Sequence, residues 1–427
     1  MTTADENELL VHTGPGTPGG NLMRRYWHPV ALSEELPPGG APLPIRVLSE
    51  DLVLFRDEAG RPGLLHRACP HRCADLSYGR LEDGGLRCLY HGWLFDVAGN
   101  CLEQPGEPAG STYKDEVRAV AYPCHEVGGL IFAYMGGGAA PEMPEYEFLN
   151  VGEAHRYVHR SDLECNYLQS LEGNIDPVHL SYLHRPHKRA DARAVPGSDD
   201  KSADMYYAED RAPRLDLEHT EYGIRIFSVR NSGPENQYVR VTNFIMPNSA
   251  AIVGQEGRVN EGYAVHWHVP IDDTHNMRFD LVINRVNPID KVKYRSREAN
   301  LYGPDGKEER RARNRYFQDR EAMKTENFTG MGRSFNVHDA FASESQGPVH
   351  DRTREHLATS DRIIVQARRQ LIEGIEAVQD GREPLGVIRD PDKRDRSELV
   401  VMSQVVPRTL DYKDAWKSMV PRQSAAE

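Results

Sequence analysis

Cys69-Pro70-His71 and Cys88-Leu89-Tyr90-His91, sixteen residues apart, constrain this chain more than any other feature. Each half pairs one thiolate with one imidazole, so the two segments have to form neighbouring loops that bring four donors together. Pro70 and the Gly92-Trp93 step suit tight loops. Two kinds of metal centre take such a set. A tetrahedral zinc ion accepts two sulfurs and two nitrogens. A [2Fe–2S] cluster of mixed ligation takes Cys69 and Cys88 on one iron and His71 and His91 on the other. Structural zinc sites favour knuckles of like ligands, whereas both halves are mixed here, which favours the cluster. Imidazole in place of thiolate removes negative charge and raises the reduction potential, so such a centre takes up electrons readily and passes them on.

The flanking sequence reads as short strands. Residues 44–48 and 52–55 alternate, 58–63 and 96–100 are turn clusters, and 128–134 ends in a buried strand. The Gly/Pro stretch 136–144 reads as a boundary. It divides the 427 residues into an N-terminal arm (1–25), a cluster-bearing domain (26–137) and a larger domain (138–427), with length enough for two cores. Beyond the boundary, 163–184 is largely helical in character and 222–281 carries alternating strands. The stretch 303–326 is a charged excursion. Residues 360–378 form an amphipathic helix with Ile363, Ala367, Leu371, Ile375 and Val378 on one stripe, Ser360 as its cap and Gly381 past its end.

A second donor group stands in Glu172-Gly173-Asn174-Ile175-Asp176-Pro177-Val178-His179-Leu180-Ser181-Tyr182-Leu183-His184. Two histidines with a carboxylate compose the face that holds non-haem Fe(II) and leaves positions open for O2. Five residues of a regular helix turn through about 500°, leaving His179 and His184 about 140° apart. One ion reaches both only where the helix widens or ends between them, and Pro177 is a source of that irregularity.

Net charge −13 argues against nucleic acid, which needs basic surfaces to neutralise phosphates. No apolar run approaches a membrane span, and the acidic N-terminus lacks a signal-peptide pattern, so a cytoplasmic protein is expected. Cys73, Cys101, Cys124 and Cys165 are too scattered for a disulfide framework. A bridge from Cys73 to the second loop is not expected, because Leu89 and Tyr90 occupy the corresponding place. No G-x-G-x-x-G pattern opens a helix, and 14–20 reads as a loop, so no dinucleotide site is expected in this chain.

The run Cys-Pro-His-Arg…Cys-Leu-Tyr-His-Gly-Trp resembles the signature of Rieske iron–sulfur domains. Followed by Asp-x2-His-x4-His, it makes the chain similar to the oxygenase component of Rieske non-haem iron oxygenases, nearest the phthalate dioxygenase-like group. The resemblance implies an α+β chain: an all-β Rieske [2Fe–2S] domain, then a catalytic domain of antiparallel sheet plus helices (helix-grip-like). It implies His179 and His184 as ligands of a mononuclear Fe(II). Asp339, in Asn336-Val337-His338-Asp339, best matches the third ligand, with Glu344 and Asp351 as alternatives. It further implies a homotrimer or trimer-based hexamer in which His91 contacts Asp176 of the next subunit, Asp176 in turn holding His179. Gly173 stands where many relatives carry Asn, so any role of that amide is absent or displaced.

The implied reaction uses O2 and electrons from a separate NAD(P)H-dependent reductase (flavin and iron–sulfur) or a ferredoxin. An aromatic carboxylate, phthalate-like or benzoate-like, is the implied substrate of ring hydroxylation; O-demethylation of a methoxylated aromatic acid is the alternative. An electron-transfer protein without the mononuclear iron and a zinc-held binding module are readings of other classes. A carboxylate would need an arginine fork, for which Arg225, Arg230, Arg240 and Arg278 are candidates, each with a surface role as the plainer reading. His266 and His268 share one strand face. His155, His159, His187, His219 and His275 are read as structural.

Overall fold

The computed structural model describes residues 2–187, 194–198, 200–254, 259–299 and 309–419. Short strands build the first part of the chain. Leu43–Val47, Glu50–Arg56, Pro62–His66 and Ala121–Tyr122 form one antiparallel sheet. Arg80–Glu82, Gly85–Arg87, Leu94–Phe95 and Cys101–Glu103 form a second. Val53, Phe55, Leu65, Leu76, Leu86 and Phe95 pack between them around Cys69 and Cys88. A third sheet, of Trp27–Leu32, Leu130–Tyr134 and Cys124–Val127, faces the rest of the chain. Residues 2–25 carry two short helices, Ala4–Val11 and Pro18–Met23, docked on the long C-terminal helix.

The second part is built on a strongly bonded antiparallel sheet. Its strands are β1 (Arg156–Leu163), β2 (Arg214–His219), β3 (Gly223–Asn231), β4 (Asn236–Ile245), β5 (Ser249–Ile252), β6 (Gly262–Asp272), β7 (His275–Asn284) and β8 (Met402–Pro407). They lie in the order β1-β7-β6-β5-β4-β3-β2, with β8 pairing β4. Three helices matter for the site: α1 (Tyr167–Ile175), α2 (Phe335–Glu344) and α3 (Arg362–Gln379).

Strand alternation gives the sheet two unlike faces. Tyr263, Val265, Trp267 and Val269 of β6, with Met277, Phe279, Leu281 and Ile283 of β7, join Val30, Ile131 and Phe132 in one continuous apolar core. The opposite face of the same strands carries His266, His268, Arg278 and Asp280, all buried, and is crossed by α1. A buried polar row is expensive unless its members bond one another or a ligand.

Two local expectations change. The stretch 163–184 is not one helix: Leu163 closes β1, α1 spans Tyr167–Ile175, and His179–Ser181 is a separate 3-10 turn. Asn166 caps α1 through the Leu168 N–H, and Pro177, lacking an N–H, stands just past its end. Ser360 does not cap α3; it lies within the turn Thr359–Asp361, and Asp361 precedes the first helical residue. Gly381 does end α3, at φ +74, where its N–H meets the Val378 carbonyl. Residues 303–308 of the charged excursion lie outside the described residues; 309–326 carry two short turns of helix. No helix among the described residues is long and apolar enough to cross a membrane.

Candidate metal centres

The two cysteine–histidine loops are copies of one backbone design. In the first, Cys69 N–H donates to Ala74 O and Cys73 N–H to Cys69 O; in the second, Cys88 N–H donates to Trp93 O and Gly92 N–H to Cys88 O. The fifth residue of each loop is left-handed, Cys73 at φ +57 and Gly92 at φ +75. Cys69 and Cys88 are buried side by side, and burial with the neighbouring Cys88 pushes the Cys69 thiol up to about 11. The imidazoles point the other way, with the His71 and His91 rings 4.4 Å apart. His71 stacks on Trp93 at 4.3 Å, and His91 lies against Tyr90 at the exposed tip. Two sulfurs at the core end and two nitrogens at the solvent end fit a group with two differently ligated irons. The described cysteines, Cys73 included, are all free thiols.

The second group forms where α1 ends. Asp176 accepts the Val178 N–H at 2.8 Å and the His179 N–H at 3.2 Å, closing the turn that carries His179 out of the helix. Its Oδ2 stands 3.5 Å from His179 Nδ1. His184 and α2 complete the set: His184 Nε2 lies 3.0 Å from Asp339 Oδ1, and donor atoms of His179, His184 and Asp339 all fall within 4.8 Å of one another. The broken helix thus removes the 140° conflict between the two histidines. Burial opposes ionisation of Asp339, but His184 and His179 outweigh it and hold that carboxyl well below its usual range. Burial likewise lowers His179, while Asp176 more than restores it.

The runners-up are elsewhere. Glu344 accepts the Glu164 N–H and the Tyr316 hydroxyl, and Asp351 closes an exposed turn on Thr353. The residue after Gly173 is an amide. Asn174 Oδ1 accepts from His266 Nδ1 at 2.5 Å and from His268 Nε2 at 3.1 Å, joining α1 to the polar sheet face. His338, adjacent to Asp339, has no signal of its own in the sequence. It stands 3.2 Å from His184 through Nδ1, and burial and His184 push it down to about 4.

The four arginine candidates separate cleanly. Arg225 bonds Glu218 and lies over Trp416 on the far face. Arg230 bonds Ser228, Asp210 O and Pro177 O, bracing the turn before His179. Arg278 pairs with Asp280 at 2.9 Å. Arg240 is 8% exposed, and among the described residues no hydrogen bond or ion pair meets its guanidinium. It is close enough to His179 for its charge to weigh on that ring. Of the remaining histidines, His155 meets Asn284 O, His187 meets Met323 O, His219 meets Gln370 and His275 meets Asp272, while His159 lies across from Asp280.

Residues 26–121 match the model of the Rieske [2Fe–2S] domain, and residues 133–426 match the LigXa C-terminal domain-like family. The chain belongs to the Rieske oxygenase family. It is 37% identical over 426 residues to the phthalate 4,5-dioxygenase oxygenase subunit of Pseudomonas putida, covering 97% of this chain and 94% of that one. It is 34% identical to the 5,5'-dehydrodivanillate O-demethylase oxygenase subunit of Sphingobium sp., covering 97% and 88%. With the 3-chlorobenzoate-3,4-dioxygenase oxygenase subunit of Comamonas testosteroni it shares 33% identity over 98% and 99%. Among solved structures, dicamba monooxygenase bound to dicamba has a TM-score of 0.59 at 19% identity, covering 84% of this chain and 99% of that one, which shows the fold. This Rieske oxygenase is therefore an oxidoreductase with a β-rich Rieske domain followed by an antiparallel sheet with helices. The family carries a [2Fe–2S] cluster and a mononuclear iron, and the two donor sets fit both.

Proposed function

We propose that this chain is the terminal oxygenase of a multicomponent system that hydroxylates an aromatic carboxylate, phthalate-like or benzoate-like. Cys69, His71, Cys88 and His91 would hold the cluster, and His179, His184 and Asp339 the mononuclear Fe(II). Bound iron supplies O2 activation; the chain's own residues supply placement and charge. Arg240 carries the substrate class. The Arg240 Nε is buried without a partner, which is costly, and a ligand carboxylate beside His179 would offset that cost through a bidentate pair with the guanidinium. Asn174 Oδ1 accepts from both His266 and His268, tying them to α1, while His266 Nε2 lies 3.6 Å from Asp280 Oδ1.

Electron entry rests on two surface features. His91 is exposed and flanked by Leu89, Tyr90 and Arg72, the last lying over the Tyr90 ring. Asp176 retains 22% of its side-chain exposure beside His179. An exposed apolar tip around an imidazole and a half-open carboxylate suit a contact between copies of this chain, as in a homotrimer or trimer-based hexamer. Asp176 would then hold His91 of one subunit and His179 of the next, fixing both rings. A separate NAD(P)H-dependent reductase or a ferredoxin would supply the electrons, in the cytoplasm. The division at 26–137 and 138–427 goes with this reading.

The test is O2 uptake by the reconstituted system across phthalates, benzoates and methoxylated aromatic acids, with metal analysis. Three irons and two sulfides per chain with acid-dependent uptake are expected; two irons, or indifference to the carboxylate, overturns the reading. Likeness to an O-demethylase subunit favours a second reading, selected by formaldehyde release.

A further inference from the structure

We infer that His338 is a positioning residue that fixes the His184 ring as a metal donor. The inference rests on the mononuclear site proposed above and goes beyond its three ligands. Hydrogen bonds carry the argument. His338 Nε2 lies 3.1 Å from Gly332 O and 3.1 Å from Thr329 Oγ1. The Thr329 hydroxyl already donates to Asn327 Oδ1 at 3.0 Å and receives the Met331 N–H, so toward His338 it can only accept. A carbonyl can only accept as well. Nε2 of His338 therefore bears the proton.

The ring is 2% exposed and, among the described residues, no carboxylate is hydrogen-bonded to it; with the Nε2 proton spent on these two acceptors, the tautomer leaves a lone pair at Nδ1. That lone pair faces His184 Nδ1 at 3.2 Å. The contact requires a proton, which His184 must supply. His184 Nε2 then presents its own lone pair toward Asp339 Oδ1, 3.0 Å away. A lone pair at Nε2 beside the Asp339 carboxylate is the donor arrangement that the proposed mononuclear site would use. The opposite tautomer would bond Asp339 but leave two buried lone pairs facing each other at Nδ1.

Placement on one helix makes the device compact. His338 and Asp339 are consecutive on α2, and they address the two nitrogens of the same imidazole. Phe335, one turn earlier, stacks on that ring at 4.2 Å and 13° and holds its plane.

The experiment compares His338→Leu with His338→Gln in protein stripped of mononuclear iron but retaining its cluster, titrated anaerobically with Co(II). Leucine fills the space and accepts nothing; glutamine can offer an amide oxygen to His184 Nδ1–H. Loss of such an outer partner typically weakens metal affinity about 10–100-fold. That loss is expected for His338→Leu, with affinity recovered to within a few-fold in His338→Gln and the cluster absorbance unchanged in both. Wild-type affinity in His338→Leu, or equal weakness in both variants, overturns the inference. His184→Ala separates the two levels. If it leaves Co(II) binding intact, the mononuclear site itself is misplaced.

Discussion

Replacing Arg240 by methionine separates folding from recognition, because the two effects have opposite signs. In the protein without substrate, Arg240 is buried and bonded to nothing among the described residues, whereas Arg278 is paired with Asp280 at 2.9 Å. Methionine keeps the length of the apolar stem. Arg240→Met therefore removes an uncompensated charge and no bond, and its thermal midpoint should hold or rise. Arg278→Met strands the Asp280 carboxylate, a change that costs about 3–5 kcal/mol. Toward an acid substrate the order is reversed. Losing the buried partner of a carboxylate costs a similar 3–5 kcal/mol, which at 1.4 kcal/mol per tenfold is about 10²–10⁴ in KM or Kd. The primary amide of the same substrate, lacking the charge, should lose far less. Thermal unfolding of both variants, with O2 uptake measured against acid and amide, reads all of this. Arg240→Met unfolding as early as Arg278→Met, or equal losses for acid and amide, would refute the reasoning.

Asp176→Asn should retain both metals and most of its stability yet lose most turnover with the native reductase; steady-state O2 uptake at wild-type rate would remove its bridging role. Glu172 receives Arg368 Nε at 2.6 Å and Arg352 Nη2 at 3.2 Å, binding α1 to α3. Glu172→Gln should cost about 3–5 kcal/mol in urea unfolding by uncoupling those buried charges. Burial raises the Glu172 pKa, but the two guanidiniums prevail and lower it. Its stabilisation is thus present above the unfolded carboxyl value of about 4.3 and lost as pH falls through the lower folded value. The acid limb of stability below that pH should flatten in the Gln variant. In the cluster loop, a Cβ on Gly92 would meet Pro105 Cγ at 2.9 Å with φ already at +75. Gly92→Ala should lower cluster absorbance per protein, whereas Cys73→Ala, at an exposed thiol, should not.

The grouping of Cys69, His71, Cys88 and His91 is legible because loops of five residues carry all four donors and leave sequence little freedom. Asp176, His179 and His184 were legible as a group, and the need for a broken helix followed from their spacing. The location of the break did not. Asn166 sets the start of α1, and Asp176 takes over the backbone N–H groups of Val178 and His179, both short-range bonds with no periodicity to betray them. Asp339 is marked by its motif, whereas His338 beside it carries no such mark, since its contacts depend on Thr329 and Gly332, which lie in a loop. Arg240 looked like its three fellow arginines. What distinguishes it is the lack of partners, and partners are set by strand register.

The polar sheet face has the properties of a ruler. Its residues stand in rungs fixed by pairing: His159, Asp280 and His266 in one, Ser161, Arg278 and His268 in the next, and Arg240 opposite Ser228 further along. Neighbours within a rung are about 4.8 Å apart across strands, and successive same-face rungs about 6.8 Å apart along a strand. His179, His184 and Asp339 come from turns and helices off the sheet, so the marks can be relabelled without touching them. Moving the cation from 240 to 242, or across to 228, would slide a bound ring by one graduation. A different carbon would then face the same metal, and regiochemistry on this scaffold would change in discrete steps.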